Sequence, residues 1–489
     1  MASTVELPLL TVDRGGSRTL QQQVTDGLRQ SIISGAVATS ARLPATRGLS
    51  RRLGVGRNTI LNAYEQLALE GYARGRLGSG TYVAADLPDP KLRAASGIAE
   101  RIGPDPVLHP TERLNRIRRA PFLDTSNPSL FRPFCPSIPS SSDFPIEEWE
   151  SVRRRVLRTG SARLLEYAHP QGHPALREAI ANHCRDYRGV LCHADQIVIT
   201  SGAQAGFNLV LGVLSDVGSP VWVEDPGYIG FRGAAEASGG LVVHRPVDAE
   251  GIVLPHGRPA KAPALIYVTP SHQFPLGVTM SLRRRMALLD FAERNGTWII
   301  EDDYDSEHRY SGRPLPALQG LRAGGRVVYV GTFSKTLFPA LRLGFLIVPP
   351  LLVADFTRLR AILDTFSPTI DQAVLARFLS DGRYARHLRR MQYIYGERRD
   401  AFCAEMDRLL SGRVRLERPS SGLSLAGWFP AGSDDRARCL RAAEAGLTVL
   451  PISIFCNRAR CAPGAIFGFA AFPPGELRRS VAKLAHAWA

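Results

Sequence analysis

Five apolar runs, QIVITSGAQ, PVWVEDPGY, ALIYVTPSHQ, TWIIEDDYD and RVVYVGTFSK, each stop at a cluster of polar residues. Strands that are apolar almost without interruption are buried on both faces, which belongs to mostly parallel sheets covered by helices on either side. Helix patterns separate the runs. One spans Leu282 to Asn295, with Ser281 as its N-cap and Gly296 just past its end. From about residue 131 to residue 489 the chain therefore reads as an α/β unit. In such sheets ligands gather beyond the carboxyl ends of the strands, and all five polar clusters fall there.

The 489 residues exceed what one core holds, so about two to four domains are expected. At 44% hydrophobic and 22% charged, the composition is that of ordinary globular protein, and the formal charge of +16 favours a polyanionic partner. Only four lysines occur, Lys91, Lys261, Lys335 and Lys483, against a Lys+Arg total of 61. Seven cysteines without C-x-x-C pairs suit a reduced, cytoplasmic chain, and no metal site is expected. The start, MASTVELPLL, lacks the pattern of a secretory leader, and no run reaches ~18 apolar residues. Secreted, membrane-spanning, collagenous and disulfide-stapled classes are excluded on this reading.

Residues 17–84 have a different texture. Three short helix patterns, Leu20 to Ile33, Thr46 to Leu53 and Arg57 to Glu70, precede two short strands, Tyr72–Ala73 and Thr81–Val83, around Gly78–Ser79–Gly80. Three helices and a hairpin make a winged helix-turn-helix, whose third helix enters the major groove. Arg42, Arg47, Arg51, Arg52 and Arg57 lie before or within the second and third helices, where guanidinium forks grip phosphates or guanine edges. Asn58 and Thr59 open the third helix. A small bundle with a solvated basic face explains the arginines alone, but not the ordered helices and hairpin. Residues 85–130 lose periodicity and gain proline, which reads as a linker.

LPATRGLSRRLGVGRNTILNAYEQLALEGY followed by GSGTYV resembles the GntR class of bacterial regulators over about 65 residues. The resemblance implies operator binding by Arg42, Arg47, Arg57, Asn58, Thr59 and the wing glycine Gly80. Gly48 and Gly56 depart mildly from the pattern, since both add flexibility to a compact unit.

The strand ends of the larger unit carry chemistry. Lys335 follows a strand between Ser334 and Thr336, where a lysine of lowered pKa forms a Schiff base with an aldehyde cofactor. Thr332, Ser334 and Arg342 offer hydroxyls and a fork for a phosphate. Ser201–Gly202–Ala203–Gln204 is a strand-to-helix turn whose free N–H groups suit the same phosphate. Asp302 and Tyr304, two apart in an extended segment, share a face, and Tyr228 in EDPGY offers a ring for stacking. Each item alone has a plain structural reading, since a lysine after a strand is usually solvated and EDDYD can be a charged loop. Together they describe a pyridoxal phosphate pocket.

This half resembles the fold-type I aminotransferases from about 131 to 489, which implies a mostly parallel sheet followed by a small C-terminal α+β subdomain. By the resemblance, Lys335 is the Schiff-base lysine, Asp302 the partner of the pyridine nitrogen, Tyr304 that of the 3-hydroxyl, and Tyr228 the stacking ring. Ala203, Gln204, Thr332, Ser334 and Arg342 would form the phosphate cup. Tyr167, in YAHPQGHPALR, matches the tyrosine that reaches a neighbouring subunit's phosphate, which implies a homodimer. Asp302 is preferred to Asp303 because only it shares a face with Tyr304.

The departures concern the substrate carboxylate. Ile466 stands where LRLGFA carries an arginine, and an isoleucine makes no paired hydrogen bonds to a carboxylate. Gly230 stands where GABA-sensing relatives place a second arginine. Phe274 replaces the asparagine of the NPTG turn, leaving Gln273 or His272 as candidate substitutes. Arg458 or Arg460 offers an alternative clamp, with surface solvation as the plainer role.

Head and body in this order resemble the MocR/GabR-type regulators. That resemblance implies a cytoplasmic, pyridoxal phosphate-dependent regulator that binds double-stranded operator DNA and senses a small-molecule effector at its aminotransferase-like body. The effector is pyridoxal phosphate itself, or an amine or amino acid. The alternative is a working aminotransferase carrying a DNA-binding head.

Overall fold

The computed structural model describes residues 10–76, 79–87, 110–122, 124, 131–160, 162–255, 257, 259–310, 316–459 and 461–489. The chain divides into two compact units, Met1–Leu108 and His109–Ala489.

In the first unit, helix α1 (Leu20–Ile33) opens on a capping box between Thr19 and Gln22 and buries Val24, Leu28 and Ile32. Helix α2 (Thr46–Leu53) stops at Gly54, whose φ of 63° is a left-handed cap open to glycine. Helix α3 (Arg57–Leu69) buries Ile60, Ala63, Tyr64 and Leu67 against the same core. An ion pair of 2.7 Å between Arg29 and Glu70 fastens the end of α3 to α1. Strands β1 (Ala73–Arg76) and β2 (Gly80–Val83) pair antiparallel as the wing. The first wing strand begins one residue later than its apolar residues suggest and runs on through Arg74–Gly75–Arg76, because the ladder to β2 does not depend on side-chain polarity. Gly78, expected in the wing turn, lies outside the described residues.

The second unit is built on an eight-stranded sheet of order β3-β10-β9-β8-β7-β4-β5-β6. Its strands are β3 (Ile197–Thr200), β4 (Pro220–Asp225), β5 (Leu241–Asp248), β6 (Gly251–Ile252), β7 (Leu265–Val268), β8 (Trp298–Asp303), β9 (Val327–Thr332) and β10 (Gly344–Ile347). Strands β4, β5, β7, β8 and β9 run parallel, β3 shares their direction, and β10 and β6 run against it. Every residue of β3, β4, β7 and β9 is buried, as continuous apolar strands between helical layers must be. The Leu282–Asn295 helix has the expected bounds, with Ser281 as N-cap and Gly296 left-handed.

A smaller antiparallel sheet of order β11-β12-β14-β13 follows, from β11 (Arg415–Leu416), β12 (Ser424–Trp428), β13 (Leu450–Pro451) and β14 (Gly464–Gly468). The long Arg383–Leu410 helix and the Pro474–Ala487 helix pack together and share its core. Among the described residues no helix is long and apolar enough to cross a membrane.

The proline-containing stretch before the sheet departs from its reading as aperiodic, because it holds helix α4 (Glu112–Arg119). That helix buries none of its residues, and Leu114 and Ile117 are its only apolar residues, too few to mark a helix in the sequence. It is held by the Thr111 cap on Leu114 N–H (3.1 Å) and by packing on the Ile229–Ser238 helix.

Candidate functional site

Strand β8 ends in three consecutive acids, and the sheet gives each a different environment. Glu301 accepts the N–H groups of Leu318 (2.7 Å) and Gln319 (2.9 Å). Asp303 is held by Arg188 Nε (2.7 Å) and by the Tyr329 hydroxyl (2.6 Å). Asp302 accepts the Tyr267 hydroxyl at Oδ2 (2.6 Å); its Oδ1 and that of Asp303 are both buried with no hydrogen-bond partner among the described residues, but Asp303 is already paired with a guanidinium. Burial pushes the Asp302 carboxyl up to about 7, with Asp303 and Asp305 adding to the rise. A buried carboxylate with one free oxygen fits a protonated ring nitrogen. Tyr267 is the residue that sequence reading missed. It stands on β7 opposite Ile300, two residues before Asp302, and only strand register brings the two together.

Tyr304 follows β8 and donates to the His272 carbonyl oxygen (3.0 Å), and burial lifts its phenol well above the usual range. Tyr228 follows the turn after β4. Its ring meets Phe274 edge-on at 5.9 Å and Phe207 at 6.3 Å, and burial pushes its phenol up to about 12. Lys335 lies in the turn after β9, where its Nζ donates to the Ser137 carbonyl oxygen (2.9 Å). Burial lowers its pKa, and the neutral amine is the nucleophilic form.

Of the residues expected at the phosphate, Ala203 and Gln204 open the Ala203–Leu214 helix and Arg342 reaches the turn before it. The N-cap of that helix is Gly202, so no side chain caps the helix and its first N–H groups stay available. Arg342 Nη2 donates to the Ser201 carbonyl oxygen (2.8 Å), and a Cβ on Gly202 would lie 2.9 Å from that nitrogen. Ser334 Oγ is buried without a hydrogen-bond partner among the described residues, and Thr332 Oγ1 accepts from Ser334 N–H (3.2 Å). The Gln204 side chain is engaged elsewhere. It donates to the Gly230 carbonyl oxygen (2.9 Å), so toward a phosphate Gln204 offers its backbone N–H.

Gly202 has φ 89° and ψ 171°, a conformation nearly confined to glycine. Gly202→Ala is expected to lower unfolding stability by about 1–3 kcal/mol, measured by urea denaturation, and to displace Arg342. An unchanged midpoint would show that the turn relaxes freely.

Tyr167 stands apart from these residues. It is 92% exposed and meets Phe366 at 6.0 Å beside a groove of about 410 Å³ lined by Leu164, Leu165 and Pro368. Its own chain leaves it uncovered.

The positions that depart from the aminotransferase pattern form an apolar wall. Ile466, on β14, is buried with Ile229, Ala426, Ile452 and Phe455, and Phe274 packs on this cluster. A Cβ on Gly230 would lie 2.6 Å from the Tyr228 ring, so the absent side chain leaves room for the ring. Neither candidate substitute for the asparagine has a free side chain. Gln273 donates to Glu224, Pro226 and Phe274, and His272 pairs with Asp305 at 2.9 Å. Arg458 is exposed, while its backbone N–H ties the loop to Asp225 (2.7 Å). Arg460 lies outside the described residues.

In the first unit Arg42, Arg47, Arg57 and Asn58 are exposed and Thr59 is half-buried. Arg57, Asn58 and Thr59 form the first turn of α3, whose Gly56 N-cap contributes no side chain, so the positive helix end is open. The Arg42 guanidinium covers Gly80, whose φ is 108°. The residues expected at DNA thus lie at the exposed start of α3, in α2 (Arg47), and where the segment before α2 meets the wing (Arg42 against Gly80).

Residues 20–83 match the gntR family of bacterial regulatory proteins, and residues 135–482 match the class I and II aminotransferases. The probable rhizopine catabolism regulatory protein MocR of Rhizobium meliloti is 37% identical over 480 residues, which are 98% of this chain and 96% of that protein. The chain belongs to the MocR-type GntR regulators. A second relative in this family, the pyridoxine biosynthesis transcriptional regulator PdxR of Corynebacterium glutamicum, is 32% identical over 95% of each chain. Among solved structures, the alpha-aminoadipate aminotransferase LysN of Thermus thermophilus, complexed with N-(5'-phosphopyridoxyl)-L-leucine, has a TM-score of 0.69 at 26% identity. The match covers 77% of this MocR-type chain and 96% of the aminotransferase. The body is therefore an aminotransferase fold, and relatives with that fold use pyridoxal phosphate.

Proposed function

We propose that this MocR-type regulator holds pyridoxal phosphate on Lys335 and couples events there to the grip of its head on operator DNA. The observation that carries the reading is Asp302, buried, with no ion pair and one carboxylate oxygen unpartnered among the described residues, and close enough to Lys335 for each charge to alter the other's pKa. When bound, pyridoxal phosphate supplies an aldehyde that condenses with amines and a ring that draws in electrons. Asp302 would keep the ring nitrogen protonated, Tyr304 would reach the 3-hydroxyl, and Tyr228 would lie against the ring. Ala203 and Gln204 N–H, Thr332, Ser334 and Arg342 would hold the phosphate.

On this reading residues 17–84 bind DNA, 85–130 link, and 131–489 sense the effector in a cytoplasmic homodimer in which Tyr167 serves the second copy. The effector is the cofactor itself, or an amine or amino acid. The apolar wall around Ile466 supports a ligand that needs no carboxylate clamp at that position. Sensing then works by linkage: a ligand that favours one arrangement of the heads shifts DNA affinity by the same coupling energy.

The test is a visible absorption titration with pyridoxal phosphate, followed by operator binding with and without cofactor. A lysine-dependent band together with a change in operator affinity supports the reading, and absence of the band removes the cofactor. For the head, Arg57→Ala is expected to weaken operator binding by about 1–3 kcal/mol if it reads a base, measured by fluorescence anisotropy at fixed salt. No loss would leave Arg57 solvated. The retained Lys335 and Asp302 also support a second reading, a working aminotransferase with a DNA-binding head. That reading requires sustained turnover across a panel of amino donors, and reaction limited to a single turnover sinks it.

A further inference from the structure

Beside the Lys335 turn lie two histidines with no part in the reading so far. His308, fully buried, places Nε2 3.1 Å from the Lys335 carbonyl oxygen. His387, in the Arg383–Leu410 helix and 5% exposed, places Nε2 3.0 Å from the carbonyl oxygen of the next residue, Thr336. A carbonyl oxygen only accepts, so both imidazoles carry a proton on Nε2 and donate it. Both Nδ1 atoms are buried with no hydrogen-bond partner among the described residues. Burial lowers the pKa of each, that of His387 to about 4, so both rings are neutral near pH 7.

The rings are wedged in place. His308 meets Tyr395 edge-on at 5.1 Å, and His387 meets Phe144 edge-on at 5.8 Å. Two separate elements thus send one donor each to consecutive carbonyls of the turn that carries Lys335. An apolar ring would fill either space without leaving a buried nitrogen unsatisfied. What histidine adds at both positions is the hydrogen bond to this turn.

We propose that His308 and His387 are positioning residues that fix the Lys335–Thr336 backbone and so aim the Lys335 amine at the cofactor's aldehyde. The proposal rests on the reading of Lys335 as the cofactor lysine. Neither histidine touches the cofactor in this role. Each acts through the peptide groups it holds, and a displaced amine attacks slowly even when the cofactor's ring and phosphate are seated.

The experiment compares two ligands on the full-length protein. Pyridoxal phosphate must react with Lys335, whereas pyridoxamine phosphate has no aldehyde and binds only through its ring and phosphate. In His308→Phe and His387→Phe the rate of lysine attachment, followed by visible absorption, is expected to fall about tenfold to a hundredfold, with pyridoxamine phosphate affinity unchanged. His308→Gln, whose amide reaches the place of Nε2, is expected to restore the rate. His308→Asn, one methylene shorter, is not. If the Phe variants fail to fold by circular dichroism, the Gln and Asn pair makes the same comparison.

Equal loss of both ligands, equal behaviour of Gln and Asn, or an unaltered attachment rate would each overturn the proposal. Failure of the wild type to attach pyridoxal phosphate, with Lys335→Ala as the control, would instead overturn the reading of Lys335.

Discussion

Lys335→Ala will abolish the visible band formed with pyridoxal phosphate, and no other lysine will replace it. The amine is buried, its pKa is lowered by that burial, and it donates a hydrogen bond to the Ser137 carbonyl oxygen. Only three further lysines exist in the chain, Lys91, Lys261 and Lys483. The fold will survive, because Lys335 belongs to a turn after β9 and anchors no helix or strand of the core. The variant's circular dichroism and its basal operator binding should therefore match the wild type. The response of operator binding to cofactor should collapse, a change of about 5- to 150-fold if the coupling has the usual size. A response that persists would take the Schiff base out of the mechanism. A band that persists would assign it to another amine.

Asp302→Asn is expected to move stability and cofactor affinity in opposite directions. In the cofactor-free protein the Asp302 carboxyl titrates at about 7 instead of 3.8, chiefly because it is buried. A carboxyl whose folded pKa is raised favours folding in its protonated form. Its penalty is absent below about pH 4, grows as the unfolded chain ionises first, and is complete above about pH 7. The amide removes that penalty while still accepting from Tyr267. Cofactor-free Asp302→Asn should therefore be more stable than wild type at pH 8, on the order of a few kcal/mol, with little difference at pH 4.

Pyridoxal phosphate should bind the same variant more weakly by about 10- to 150-fold, the worth of one hydrogen bond to a charged group. Thermal unfolding at the two pH values and a cofactor titration measure both effects. Loss of stability at pH 8 would mean that the charged carboxylate is needed by its neighbours. Unchanged affinity would deny it the ring nitrogen.

Much of the fold is legible because its signals are local. Leu20–Ile33, Thr46–Leu53 and Leu282–Asn295 have the expected bounds, read from apolar spacing, the Ser281 cap and Gly296, and the structure adds the Thr19 capping box and the left-handed Gly54. Helix α4 escaped because it has no buried stripe, and its stability comes from a cap and a neighbour in space. The alternation of a strand was enough to put Asp302 and Asp303 on opposite faces. It was not enough to show that Tyr267 takes one oxygen of Asp302 and leaves the other free. Gln204 shows the opposite case, since its position was legible but not the carbonyl that claims its side chain.

The amino-acid sequence by itself determined the order of the two units, the elements of the head, the strand ends that carry Lys335, Asp302 and Tyr228, and the family. Those follow from residue spacing along the chain, which sets helix faces, caps and the alternation of strands. Only the tertiary structure decided which polar atoms remain unsatisfied and which side chains hold the lysine turn. His308 and His387 are 79 residues apart and reach adjacent carbonyls. Hydrogen bonds between distant segments depend on strand register and on what is shut away from water, and neither is written in any short stretch of residues.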